Sequence, residues 1–310
     1  MQIRPQPPAR GWAWFVQAIN LGARNPRAIF GAALLLIGTL YLVMMAAGLL
    51  MTLMSAGQAM EAGQLSVAQM ATMLLLMIAL FALIPMLVGG LMHVIREVEA
   101  GRPARARDLF QPIRDGKAGR LAAFGALQVG FMWIGGLVAN ALVGEEFMHG
   151  YSQFADAVMQ QQTPPALPPV AHPFALFAWQ ALYNYVTVTV LLLGIACVAL
   201  SGRSFADAAR AAFSATWRNL LPNLLAAALF LTATALAAIV VTLVGSVVLV
   251  ALGMVSSALA LAVGLLAGFA FVSAVLVVVC GGGYLIWRDT FGDSGDSTVP
   301  PPAPMHQLEA

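Results

Sequence analysis

Five long apolar stretches dominate the chain. Residues 28–54, 64–95, 121–144, 173–202 and 220–287 contain no Asp, Glu, Lys or Arg. A helix rises 1.5 Å per residue, so about 20 apolar residues cross the hydrocarbon of a bilayer. The first four stretches suit one crossing each. The last, 68 residues long, is too long for one helix and reads as a hairpin turning near Gly253–Ser257. The pattern predicts an all-α bundle with six spans at 28–54, 66–95, 121–144, 173–200, 221–252 and 257–287. The first stretch has 27 residues, more than the roughly 7–15 of a signal-peptide core, and is expected to be a retained span.

Composition makes the membrane reading necessary. Hydrophobic residues form 61% of the chain and charged residues 9%, against about 25% charged in a soluble domain. So little charge could not cover a surface in water, and a water-soluble fold is excluded. Charge placement then tests the span count. All 15 Lys and Arg lie before the first span, between spans two and three, between spans four and five, or after span six. The other connections hold Glu61, Glu145, Glu146 and Asp156 and no cation. Basic residues flanking a span resist translocation. The expected arrangement is therefore multi-pass, with both termini cytoplasmic.

Polar spacing between the spans suggests a repeated unit. Arg10, Gln17, Asn20 and Arg24 share one helical face opposite Trp12, Phe15 and Ile19. Asp207, Arg210, Ser214 and Arg218 oppose Phe205, Ala209, Phe213 and Trp217. Each segment reads as an amphipathic interfacial helix. Each also ends in an Arg-Asn corner with Pro26 or Pro222 close behind, the order expected for a cap and a first helical turn. The segment from Gly101 to Arg120 is similar. Three units are expected, about 8–100, 101–200 and 201–288, each an interfacial helix followed by a transmembrane hairpin. Residues 145–172, with Pro164, Pro165, Pro168 and Pro169, are expected to be an irregular loop, and residues 289–310 a disordered tail. Trp12, Trp14, Trp217 and Trp287 are expected at the cytoplasmic interface, Trp179 near the outer one, and Trp133 inside the bundle.

Candidate chemistry is sparse. The spans hold no Asp, Glu, Lys or Arg away from their ends, which argues against a proton-coupled carrier. Gln180, Asn184 and Thr187 share a face of span four, and Asn140 lies at similar depth in span three. They serve either as interhelical hydrogen bonds or as a small polar cavity. Arg102, Arg105, Arg107, Arg114, Lys117 and Arg120 form a basic patch suited to anionic lipid headgroups or to topology alone. Ala260, Gly264 and Gly268 form a small-residue packing stripe on span six, and Gly89-Gly90 and Gly281-Gly282-Gly283 read as close-packing points. Cys197 and Cys280 read as small buried hydrophobes. No metal site, cofactor or catalytic constellation is expected, and no nucleic-acid partner.

Two motif groups carry a resemblance. They are Arg10-Gly11-Trp12-Ala13-Trp14 with Arg24-Asn25-Pro26, and Gly101-Arg102-Pro103 leading to Asp108-Leu109-Phe110. The chain resembles a family of uncharacterised proteobacterial six-span inner-membrane proteins. Its layout is more loosely similar to the membrane domain of glycerophosphodiester phosphodiesterases. Both resemblances imply location and topology and bring no catalytic residues. The expected function is non-enzymatic, namely structural, partner-binding or lipid-contacting, with a homo-oligomer or a membrane-protein partner possible. The alternative is a channel or carrier for a small solute or lipid.

Overall fold

The computed structural model describes residues 3–55 and 66–292. Met60 and Glu61 of the first acidic connection, and residues 293–310 of the expected tail, lie outside the described residues. The described residues are helical and contain no strand. In chain order the helices are α1 (Arg10–Arg24), α2 (Pro26–Ser55), α3 (Val67–Glu99), a 3₁₀ turn (Ala106–Phe110), α4 (Gln111–Arg114), α5 (Ala118–Val143), α6 (Glu145–Met159), α7 (Pro173–Ser201), α8 (Phe205–Arg218), α9 (Leu220–Val255) and α10 (Ser257–Phe291). Six of them, α2, α3, α5, α7, α9 and α10, are long and apolar enough to cross a membrane. The chain is a multi-pass α-helical membrane protein.

Local chemistry sets the breaks. Ser66 and Gln69 form a reciprocal capping box that opens α3, satisfying two otherwise orphaned N–H groups. The expected hairpin turn falls on Ser256, whose extended backbone ends α9 and whose Oγ accepts the Leu259 N–H of α10. Three expectations change. The 145–172 connection is helical over α6, because Glu145 and Glu146 sit in the first turn, where the helix dipole favours carboxylates. Its prolines begin only at Pro164. Helix α10 continues through Phe291, so residues 289–291 are not part of a tail. The second unit opens with a 3₁₀ turn and the four-residue α4 instead of a full amphipathic helix.

The first amphipathic helix is docked lengthwise. Arg10 and Trp14 bond Asp289, Gln17 accepts from Arg288, Gly281 faces Leu21, and Gly22 approaches Val277. Helix α1 thus runs antiparallel to α10, with Gly11 against the α9 backbone at Pro222. Its buried stripe is Gly11, Trp14, Ala18, Leu21 and Gly22, while Trp12, Val16 and Ile19 remain exposed. Helix α8 folds back against α7 and α5, burying Ala208, Ala212 and Ala215 and setting Phe205 on Phe124 and Phe213 on Phe131.

The core lies at one end of the bundle, where the basic segments gather. It comprises the last turns of α3, α7 and α10, the first turns of α2, α5 and α9, and α1, α8 and Leu109 of the 3₁₀ turn. Hydrophobic burial supplies little drive in lipid, so contact requires close, small surfaces. Glycines provide them. Gly281, Gly282 and Gly283 face Leu21 of α1, Phe230 of α9, and Met92 and Leu192 of α3 and α7 respectively. Three successive residues on a helix point about 100° apart, so one glycine run seats neighbours on three sides. Gly89 likewise admits Ile195 and Ala199 of α7.

At the far end the bundle opens. The most apolar window of α9 has 0% of its residues buried, against 61% for α7. The α7 face that packs on Gly89 continues outward through Val188, Asn184, Ala181 and Phe177, all exposed. The matching α3 face continues through Ile78 and Leu75, also exposed. Helices that touch at the basic end therefore separate beyond it. Far-end contacts within hairpins include Thr72 on Met54 between α3 and α2 and Leu249 on Gly264 between α9 and α10. Tyr41 on Phe269 links α2 to α10.

The tryptophans follow this layout rather than a belt. Trp14 is 0% exposed and Trp287 is buried, so both belong to the core and not to an interface. Trp133 is 70% exposed and faces outward from α5, the reverse of the expected packing. Trp12 and Trp217 are about half exposed, and Trp179 donates to the Gly135 carbonyl of α5 at 3.3 Å.

Candidate functional site

The charges of the basic end are arranged in two knots. In the first, Asp289 Oδ2 accepts Arg10 Nε at 2.7 Å and Trp14 Nε1 at 2.8 Å, and its Oδ1 accepts Arg288 Nε at 3.0 Å. Arg288 also pairs with Glu99 of α3. One carboxylate thus joins α1 to α10, and one guanidinium joins α10 to α3. Both carboxylates are about nine-tenths buried, so their pairing is needed to hold charge out of water. These partners lie up to 279 residues apart, and no local spacing in the sequence signals them.

The second knot caps α7. Its last turn ends on Gly202, in the left-handed conformation at φ +67°, with Arg203 N–H reaching back to Cys197 O at 3.4 Å. Such a cap leaves carbonyls and the negative dipole end facing outward. Three cations answer them. Arg96 donates to Leu200 O at 2.9 Å, Lys117 to Ala199 O at 2.8 Å, and Arg120 to Gly202 O at 2.7 Å. Glu97 takes Arg96 and Arg102, with His93 4.0 Å away.

The six basic candidates therefore divide. Lys117 and Arg120 are held by α7, and Arg102 by Glu97. Arg105, Arg107 and Arg114 are exposed and their side chains have no ion-pair partner among the described residues. Their backbone is rigid. Asp108 accepts the Arg105 N–H at 2.8 Å, and the buried Leu109 carbonyl presses against Gly90 of α3.

The polar candidates of the far end share no common hydrogen-bond network among the described residues. Gln180 Nε2 donates to Asn184 Oδ1 at 3.3 Å, and both amides are exposed on the α7 face that separates from α3. Asn140 is exposed near the end of α5 without a side-chain hydrogen bond among the described residues, and the buried Thr187 hydroxyl has no partner there. Of the packing stripe, Gly264 meets Leu249 of the same hairpin, while Gly268 faces open space. An apolar cleft of about 360 Å³ lies between α2 and α10, walled by Phe30, Leu34, Leu266 and Phe269. Cys197 and Cys280 are both buried. No family model, no curated protein and no solved structure matches this chain.

Proposed function

We propose that this chain is a non-enzymatic membrane scaffold of the bacterial inner membrane, with both termini cytoplasmic. In this reading its basic end grips anionic headgroups through Arg105, Arg107 and Arg114, and its separated far-end hairpins engage lipid or a membrane partner. One observation carries the reading. Arg96, Lys117 and Arg120 are engaged in tying helices together, while these three arginines stand exposed on the braced 3₁₀ turn and α4. A basic residue near an anionic surface is worth about 1 kcal/mol. The test is the preference of the reconstituted full chain for brominated phosphatidylglycerol over phosphatidylcholine, read by tryptophan quenching. The triple change Arg105→Gln, Arg107→Gln and Arg114→Gln is expected to lower that preference and its salt dependence. An unchanged preference would refute the reading.

A second reading has its own support. Amides exposed inside an apolar span are costly unless they meet a polar partner, and Gln180 and Asn184 lie where α3 and α7 diverge. They would line the path of a carried solute or lipid. Changing both to Leu is expected to abolish transport if this reading holds. If the pair only packs, the double change alters stability by roughly 1 kcal/mol, taking about 0.6 per intramembrane hydrogen bond. Thermal unfolding and flux through proteoliposomes separate the two outcomes.

A further inference from the structure

At the corner between α8 and α9 the chain builds a cleft of about 260 Å³. Gln6 and Pro8 of the N-terminal strap form one wall, and Trp217, Arg218 and Leu221 the other. The strap is fastened at several points. The Gln6 N–H donates to Asn219 Oδ1 at 2.8 Å and its Nε2 to Asp289 O at 2.8 Å, and the Arg4 N–H donates to Thr290 O at 3.1 Å. Asn219, 1% exposed, returns a bond to Arg4 O at 3.3 Å. The cleft is therefore a constructed feature with a fixed floor and not a gap between mobile side chains.

Its chemistry is that of a headgroup site. Arg218 is the one ionisable residue of the lining. It is exposed, and its guanidinium has no partner among the described residues. A guanidinium offers a planar fork of donors that matches phosphate oxygens. Trp217 stands beside it, 53% exposed, an amphipathic ring of the kind that settles at headgroup level. From the cleft, α9 continues as an exposed apolar wall through Leu221, Leu224, Leu225 and Leu231. A soluble phosphate compound would find one cation and no use for that wall. A lipid uses both.

We propose that this cleft binds one anionic phospholipid, its phosphate on Arg218 and an acyl chain along α9. The site is separate from the Arg105, Arg107 and Arg114 surface and stands whether or not that surface grips lipid. The experiment is native mass spectrometry of the full chain, released from detergent after titration with phosphatidylglycerol. Wild type is expected to keep one tightly held lipid, and Arg218→Gln to weaken that binding at least tenfold. Arg210→Gln, on the same helix and also exposed, is expected to bind as wild type does, as is the triple variant at 105, 107 and 114. Trp217→Leu, which keeps the charge, is expected to give an intermediate loss. Equal retention by Arg218→Gln, equal loss in Arg210→Gln, or displacement of the lipid by millimolar inorganic phosphate would each overturn the assignment. The last outcome would mark a free-anion site.

Discussion

Asp289→Ala is expected to lower the stability of the folded chain by about 2–3 kcal/mol, below the range for a fully buried charge pair because about a third of the Arg10 and Arg288 side chains is exposed. The change strips an acceptor from Arg10, Trp14 and Arg288 together. Trp14 is 0% exposed, so its indole N–H would have no water to turn to. Arg288 would keep Glu99 and Gln17. Helix α1 would lose the anchor of its first turn and be expected to detach from the α9/α10 groove. Thermal unfolding in detergent measures the loss, and faster hydrogen exchange across residues 10–22 would locate it. Asp289→Asn keeps an acceptor oxygen and is expected to lose less than half as much. A variant at 289 as stable as wild type would show that the knot only decorates helices already held by packing.

Gly90→Ala is the second large effect, at about 1–3 kcal/mol, although it adds a single methyl group. That methyl would run into the Leu109 carbonyl, a backbone atom with no rotamer to escape by. Leu109 is itself fully buried, so the 3₁₀ turn would have to lift from α3. Gly48→Ala is the control, because nothing lies within 4 Å of a methyl there. It is expected to be neutral or to stabilise by up to about 1 kcal/mol through helix propensity. Trypsin provides a second readout, since Gly90→Ala should hasten cleavage at Arg105 and Arg107 while Gly48→Ala should not.

The six spans and the gathering of every basic residue into alternate connections were legible from sequence, because both depend on local quantities. An apolar run is long enough to cross oil or it is not, and arginine resists being moved through it wherever it sits. The turn at Ser256 was legible for the same reason, since 68 apolar residues must bend near their middle. Which side of each helix faces a neighbour was not legible. In water a helix marks its buried face by hydrophobic periodicity, but in lipid both faces are apolar and the period carries no information. Hence Trp133 points outward and Trp287 inward, and nothing in their spacing distinguishes them.

The charged residues show the same division. Sequence alone determined which end of the bundle holds the arginines. Only the tertiary structure decided that Lys117 and Arg120 cap α7, that Asp289 fastens α1, and that Arg105, Arg107, Arg114 and Arg218 are left exposed. Those partners are chosen by where helices cross, and a crossing joins residues that lie 82 to 279 positions apart along the chain.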